Sequence, residues 1–400
     1  SGGEALNVTP SHFRGHINWV GWKDDNTIMY KANEGVWTTL STVAAKGGKR
    51  AVIFDAEKMG ANIVSFCKTG DTKSFAVLAS SSTVPADVYF WQPKKELKRL
   101  TTLNPWMKDR ELGVQKVVSY KARDGKEIEG LGIFPIDYKK GTRYPLVINV
   151  HGGPESNFLN DWLRTTRYSI AGQVLAGRGY VVFYPNYRSS TGYGVDYALT
   201  GYADAAGVEF DDIADGIDYF VDNGIADKDR VGLGGGSYGG YASAWFATYY
   251  TEKVKAVCMF VGISDLISKR STTDIPYEEL YVHSAKKLED MWQESLKRSP
   301  IYYAHQSKTA TLIAGGAADS RVHPSQSLEL YRRMKMNDHP AVRLVQYPGE
   351  GHGNSKQPGR IDYLYRHLQW YDWYVKEGEP LDGPMPPIDL SENFGLKLAE

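Results

Sequence analysis

The sequence predicts an α/β fold in which helices cover a mostly parallel sheet, preceded by a segment built from short strands alone. From about residue 117 to residue 375, apolar runs of strand length alternate with stretches of helical character. Before residue 108 the chain lacks helical periodicity, and turn residues separate short apolar runs. A glycine-rich run with one central serine lies between two of the later elements. Strands that are apolar on both faces and alternate with helices are typical of a parallel sheet buried between helical layers.

The first 108 residues are predicted to form blades of a β-propeller. Strands at this spacing match blades of four strands and roughly 40–50 residues each, so the segment would hold about two blades. Closing a propeller takes at least about four blades. We therefore expect either a longer protein of which this is the C-terminal part, or sheet edges covered by a second copy of the chain. A small β-sandwich is the alternative. The predicted strands are 27–31, 35–40, 63–66, 74–79 and 88–91.

The pattern changes after a joint at residues 103–106, which predicts a first domain over residues 1–108 and a second over 109–400. The second domain opens with strands 117–120 and 131–134, an antiparallel pair around the hairpin signal Asp124-Gly125. Buried strands and helices then alternate. These strands are 145–150, 180–184, 230–233, 254–260, 311–314 and 342–347, and the main helices are 211–223, 324–336 and 361–375.

The glycine-rich run has the form of a nucleophile elbow. Gly235-x-Ser237-x-Gly239 follows a short apolar strand and precedes a helix predicted over residues 242–250. A serine at such a sharp turn projects its hydroxyl from the sheet, and its neighbours two positions away must be nearly free of side chain. The alternative is a glycine-rich loop that contains a serine by chance. An antiparallel hairpin, parallel strands and an elbow together indicate the α/β-hydrolase plan.

A serine nucleophile needs a base and an acid that orients the base. In this fold their order along the chain is Ser, then Asp or Glu, then His. His352 lies on a glycine-rich loop after the last predicted strand, and we predict that it is the base. Asp319 follows the strand before it and is the preferred acid, whereas Asp265 follows an earlier strand and also fits a helix N-cap.

An acyl-transfer site also requires donors for the oxyanion. The backbone N–H of Tyr238, directly after the nucleophile, is predicted to be one donor. Gly153, in the loop His151-Gly152-Gly153-Pro154 after an early strand, is predicted to supply the other. His151 precedes the serine, which is the wrong order for a second base in this fold, so we expect it to support the loop.

The composition excludes several classes of function. The 400 residues include 47 Lys and Arg against 47 Asp and Glu, so no overall charge favours nucleic acid or an anionic membrane. Apolar runs are too short to span a bilayer. Cys67 and Cys258 lie in apolar runs, lack metal-ligand spacing and are expected to be buried free thiols. The chain begins with Ser1 rather than methionine, which suggests a processed or truncated start and leaves the compartment unassigned.

Residues from about 112 to 378 resemble the catalytic domain of the prolyl oligopeptidase family of serine peptidases, which includes acylaminoacyl peptidases and dipeptidyl peptidases. The two predicted blades look like the last blades of that family's N-terminal propeller. The chain departs from part of the family at His151, where other members carry a tyrosine, and this favours the acylaminoacyl-peptidase-like branch. The matching segments are 151–154, 187–194, 235–240, 299–304, 318–322 and 349–353.

The resemblance implies a peptidase for short peptides, with Arg321 binding a backbone carbonyl of the substrate. The pocket for the residue before the cut is expected to be apolar, with Val322, Tyr238 and aromatic residues of 275–292 as candidates. We predict hydrolysis through an acyl-enzyme, with no metal and no cofactor. An esterase on the same scaffold and a non-catalytic interaction module are the alternatives. The expected partners are a short peptide and either a second copy of the chain or a further propeller segment, with no nucleic acid and no membrane.

Overall fold

The N-terminal segment of the computed structural model, which describes residues 3–383 and Met385, consists of two four-stranded antiparallel sheets. This matches the predicted pair of propeller blades. A short helix, α1 (Ala56–Met59), connects the two sheets. The first sheet contains β1 (His16–Asp24), β2 (Thr27–Glu34), β3 (Trp37–Ala44) and β4 (Ala51–Asp55), and the second contains β5 (Asn62–Lys68), β6 (Phe75–Ser80), β7 (Asp87–Trp91) and β8 (Lys98–Arg99).

Three strands of these sheets, β1, β4 and β8, were not predicted. β1 carries apolar side chains without regular alternation, and its pairing with β2 shifts register between Ile17 and Trp19. The expectation of two buried thiols is wrong for Cys67, which is exposed on β5, while Cys258 is buried and both are free. Burial alternates along β5 from Ser65 to Lys68, and Cys67 lies on the exposed face.

The second part of the chain is organised around an eight-stranded sheet. Its order is β16-β15-β14-β13-β11-β12-β10-β9. The first two strands of this part form the predicted antiparallel hairpin, β10 pairs antiparallel with β12, and the other neighbours are parallel. The strands are β9 (Gln115–Lys121), β10 (Glu127–Ile133), β11 (Tyr144–Val150), β12 (Val181–Asn186), β13 (Ala226–Gly236), β14 (Ala256–Phe260), β15 (Ala310–Gly316) and β16 (Val342–Tyr347).

Helices cover both faces of this sheet. One apolar core contains residues of α4, α5 and α9, and the other contains residues of α2 and α10. The α-helices are α2 (Gly172–Gly177), α3 (Val195–Ala198), α4 (Val208–Asp222), α5 (Tyr238–Thr248), α6 (Leu266–Thr272), α7 (Pro276–Glu278), α8 (Trp292–Lys297), α9 (Ser325–Met336) and α10 (Gln357–Tyr371). Short 3-10 segments span Pro105–Asp109, Leu288–Asp290 and Pro300–Gln306, and π-helical turns span Glu279–Ser284 and Asp372–Lys376.

The described helices are all too short or too polar to cross a bilayer. Residues 386–400, at the end of the predicted second domain, lie outside the described residues. The eight strands in this order, with the glycine-rich run at the end of β13, give the α/β-hydrolase fold that the sequence predicts.

The loop that follows β11 contacts the N-terminal sheets. Asn157 on this loop accepts a hydrogen bond from Asn33 Nδ2 at 3.0 Å and donates to the Gly35 carbonyl at 3.1 Å. Further along, the Asn160 amide donates to the Val36 carbonyl at 2.8 Å. The turn between β2 and β3 is therefore joined to a loop that begins at the edge of the large sheet.

Candidate active site

Ser237 occupies a sharp turn between β13 and α5. Its backbone has φ 60° and ψ −119°, a conformation that L-residues adopt at a cost. A Cβ on Gly235 would lie 2.3 Å from the Val150 carbonyl oxygen, and one on Gly239 would lie 2.2 Å from the same oxygen. The two glycines of the motif are thus required because β11 passes directly against the turn.

His352 and Asp319 lie together in the structure. His352 Nδ1 is 2.8 Å from Asp319 Oδ2, and the Asp319 side chain is almost fully buried. Asp319 Oδ1 accepts hydrogen bonds from the backbone N–H groups of Arg321 at 2.9 Å and Val322 at 3.1 Å. The loop of His352 is held by Tyr168, whose hydroxyl donates to the His352 carbonyl at 3.2 Å. This carboxylate can fix the orientation of the imidazole ring.

Ser237 and His352 line one cavity of about 630 Å³. Among the described residues, no hydrogen bond joins the Ser237 hydroxyl to the imidazole of His352. The two residues are related only by lining the same cavity. Hydrogen bonds between catalytic groups are often long before substrate binds. The other lining residues are Gly152, Gly153, Glu155, Ser156, Tyr168, Ile275, Glu278 and Arg321.

One predicted oxyanion donor lines this cavity, and the other directly follows Ser237 in the chain. Gly153, with φ 126°, is one of its lining residues. A Cβ on Gly152 would approach the Ser237 Cβ to 3.2 Å and the Tyr238 nitrogen to 3.7 Å. Tyr238 is the first residue of α5, and the first N–H groups of a helix have no partner within the helix. The arrangement brings a glycine loop and a helix start to the proposed nucleophile.

His151, at the start of the glycine loop, is held by contacts with Tyr187 and Ser190. Its ring stacks on Tyr187 with centroids 4.4 Å apart, and its Nε2 is 2.9 Å from Ser190 Oγ. The Tyr187 hydroxyl donates to the His151 carbonyl at 2.8 Å. Burial lowers the pKa of His151 to about 4, so the ring is neutral at neutral pH. These contacts agree with the loop-supporting role that chain order predicts for this histidine.

The remaining sequence candidates take different positions. Asp265 caps helix α6 by accepting from the Ile267 amide at 2.7 Å, which is the alternative role considered for it. Arg321 lines the cavity and its Nε donates to Asp274 Oδ1 at 2.6 Å. The structure does not bring Val322 into the cavity wall. Its side chain is buried in the apolar core, and its backbone N–H contacts Asp319 instead.

Several residues of the site were missed by sequence reasoning. Tyr168, Glu155 and Glu278 line the cavity, but they stand on irregular loops or a short helix where no periodicity marks them. Only the folded structure shows that these segments meet at one cavity beside Ser237. Within residues 3–383 and Met385, no group of three or more His, Cys, Asp or Glu side chains is arranged to hold a metal ion.

Comparison with known proteins identifies a family and several proteins to which this chain is similar. The family model described as "Prolyl oligopeptidase family" matches residues 166–378, more than half of the chain. The chain is 29% identical over 370 residues to the "Uncharacterized peptidase YuxL" of Bacillus subtilis, covering 89% of this chain and 54% of that protein. It is 32% identical over 319 residues to "Dipeptidyl aminopeptidase BIII" of Pseudoxanthomonas mexicana, covering 76% of this chain and 45% of that protein.

A solved structure has the same fold. The acylaminoacyl peptidase of Pyrococcus horikoshii superposes with a TM-score of 0.78 at 24% identity, over 91% of this chain and 57% of that one. The present chain therefore spans about half the length of the relatives it matches.

Proposed function

Because the chain belongs to the prolyl oligopeptidase family, we propose that it is a serine peptidase which hydrolyses short peptides through an acyl-enzyme. In this proposal Ser237 is the nucleophile, His352 the general base and Asp319 the acid that orients it. The 2.8 Å contact between His352 Nδ1 and Asp319 Oδ2, beside a cavity shared by His352 and Ser237, is the observation that carries the proposal.

The reaction would proceed by two displacements. His352 takes the proton of the Ser237 hydroxyl as its oxygen attacks the peptide carbonyl, and Asp319 holds the required tautomer and stabilises the imidazolium. The amine leaves with the proton from His352, and the acyl group remains on Ser237. Water, deprotonated by the same imidazole, then releases the acid and restores the enzyme.

Backbone donors would stabilise the oxyanion formed in each step. The N–H groups of Gly153 and Tyr238 are the proposed pair, each supplying about 3–4 kcal/mol in the transition state. Tyr238 directly follows Ser237, and Gly153 lines the cavity that Ser237 also lines, which supports this assignment. Arg321, on the cavity wall, is proposed to bind a substrate carbonyl, which would require it to share or leave its contact with Asp274.

The substrate class follows from the family and from two relatives. One is named as an acylaminoacyl peptidase and the other as a dipeptidyl aminopeptidase, so both names describe peptidases. We propose a short peptide as the substrate of this chain. The order of preference between blocked and free amino termini is then an outcome of the assay.

Labelling with a fluorophosphonate tests the nucleophile directly. We expect the chain to be labelled and Ser237→Ala to remain unlabelled. Turnover of acetyl-aminoacyl and free dipeptidyl anilides is then compared with turnover of nitrophenyl esters. Hydrolysis of anilides that depends on Ser237 supports a peptidase, hydrolysis of esters alone indicates an esterase, and the absence of labelling indicates a non-catalytic interaction module.

A further inference from the structure

Tyr238, the residue after the proposed nucleophile, is anchored by a buried carboxyl group from another helix. The Tyr238 hydroxyl donates to Glu209 Oε1 at 2.9 Å. The Gly207 backbone N–H donates to the second oxygen, Oε2, at 3.0 Å. Glu209 has no exposed surface and the Tyr238 side chain is 3% exposed. One carboxyl group therefore joins the start of α4 to the start of α5.

The surroundings of Glu209 leave this group dependent on its hydrogen bonds. Burial raises the pKa of Glu209 to about 7, and the nearby carboxylate of Asp204 adds to the rise. Glu209 also faces Tyr187 and Tyr241, whose pKa values are raised by burial and by the charge of Glu209. A buried polar group in such a place is costly to leave without a partner, so the contact with Tyr238 is strongly held.

Tyr238 matters to the site because of its backbone. Its N–H is a proposed oxyanion donor, and the residue before it holds the strained φ of 60°. Strained backbone persists only where its surroundings over-determine it. The ring of Tyr238 packs against the rings of Phe210, Tyr241 and His283, with centroids 5.4–5.6 Å away. Apolar packing confines the ring, and the directional hydrogen bond to Glu209 fixes its end.

We propose that Glu209 is a positioning residue for acyl transfer, because it holds Tyr238 and thereby the geometry of the oxyanion donor and of Ser237. Glu209 is not among the residues that line the cavity, so it acts through Tyr238 rather than on substrate. The role depends on the proposed function, since it concerns the same site. Loosening the contact should slow the chemical step without weakening substrate binding, because the oxyanion forms only after attack.

The test compares Tyr238→Phe with a matched hydroxyl deletion elsewhere. Tyr180 also donates from its hydroxyl to a carboxylate, Asp372 Oδ1, at 2.9 Å. It directly precedes β12, at the end of the sheet opposite Ser237. We expect Tyr238→Phe to lower kcat about tenfold, a part of the loss seen when a whole oxyanion donor is removed, with KM unchanged within about twofold. Tyr180→Phe should keep kcat within about twofold of wild type, even if its melting temperature falls as much as that of Tyr238→Phe.

Variants of Glu209 complete the experiment. Glu209→Ala should lower kcat as Tyr238→Phe does, and the double variant should lose no more than either, because both remove one contact. Glu209→Gln is close in shape and resembles the protonated carboxyl group, so it should recover most of the kcat lost in Glu209→Ala. If Glu209→Ala does not fold, the comparison of kcat between Tyr238→Phe and Tyr180→Phe still tests the role of Glu209.

Equal kcat values for Tyr238→Phe and Tyr180→Phe, or a loss confined to KM, would overturn the role of Glu209 while wild-type turnover remains intact. Absence of any turnover that depends on Ser237 in the wild type would overturn the proposed function and this role with it.

Discussion

His352 Nδ1 lies 2.8 Å from Asp319 Oδ2, while the other oxygen of Asp319 accepts two backbone N–H groups. Three contacts thus hold one carboxylate, and two of them come from the turn directly after it. The orientation of the imidazole is therefore set by a rigid group rather than by a mobile side chain. This relationship also separates Asp319 from Asp265, the other acid considered from sequence.

Replacing Asp319 by asparagine should abolish most activity. An amide can donate to His352 Nδ1 and so favour the wrong tautomer, which costs about 10⁴-fold in kcat in a serine triad. Steady-state kinetics on an aminoacyl anilide measures the loss. Asp265→Asn is the control, since Asp265 caps α6 and its replacement should leave kcat within about twofold. A larger loss in Asp265→Asn than in Asp319→Asn would reverse the assignment.

Gly239→Ala should prevent stable folding of the elbow. Its new Cβ would lie 2.2 Å from the carbonyl oxygen of Val150, a backbone atom on β11 that cannot move alone. We expect a loss of at least about 3 kcal/mol in the free energy of unfolding, measured by urea denaturation. Gly70→Ala is the matched control because nothing lies within 4 Å of its added Cβ, and it should change stability by less than about 0.5 kcal/mol. Equal stability of the two variants would contradict the close approach.

Lys269→Ala should destabilise the segment beside the cavity. Lys269 and Glu279 form an ion pair at 2.6 Å with only 2% and 3% of their side chains exposed. Burial would raise the pKa of Glu279, but His283 and Lys269 together lower it to about 2, so the carboxylate stays charged. Removing the lysine leaves that charge poorly compensated and should cost about 3 kcal/mol.

Lys228 provides the control for Lys269, because its ion pair is exposed to solvent. Its pair with Asp229 is about three-quarters exposed on both sides, and Lys228→Ala should change stability by less than about 0.5 kcal/mol. Thermal unfolding of both variants distinguishes the cases. Similar melting temperatures for the two would mean that the pair at Lys269 contributes no more than a surface contact.

Glu329→Gln should stabilise the protein at alkaline pH. Burial, with the repulsion of Asp265, raises the pKa of Glu329 to about 7 even though Ser264 and Ser268 donate to it. A carboxyl group whose pKa is raised on folding stabilises the folded state below its unfolded pKa, near 4.3, and that stability is lost as the pH rises to about 7. At pH 8 the variant should therefore exceed wild type by about 1 kcal/mol after allowance for solvent screening.

The difference should shrink towards pH 5, where wild-type Glu329 is mostly protonated in the folded state. Chemical denaturation at pH 5, 6.5 and 8 gives the comparison. A constant difference across this range would show that Glu329 does not titrate there.

The sequence predicts the large sheet well because its strands are apolar on both faces. Boundaries are less accurate where polar residues begin an element. β13 starts at Ala226, four residues before the predicted strand. The charged residues Asp227, Lys228 and Asp229 gave no apolar strand pattern there. Helix α5 starts at Tyr238 rather than at Ala242 because two glycines, expected to interrupt a helix, are accommodated by close packing on neighbouring backbone.

The residues of the candidate site that were predicted are those that lie in recognisable local motifs. Ser237, Asp319 and His352 each follow a strand, and the strand order brings their loops to one edge of the sheet. Tyr168 and Glu209 were not predicted, because Tyr168 contacts His352, which is 184 residues away, and Glu209 contacts Tyr238, which is 29 residues away, with no motif around either. Val322 was assigned to the substrate pocket by its position after Asp319, whereas its apolar side chain turns into the core.

The contact between Asn157 and the turn at Asn33 and Gly35 has a mechanical consequence. Gly153 stands only four residues before Asn157 on the same loop, so the N-terminal sheets brace the segment that would receive the oxyanion. A displacement of those sheets would therefore strain the hydrogen bonds of the Asn157 side chain and the backbone bond from Asn160 to Val36, and through them the loop that carries Gly153.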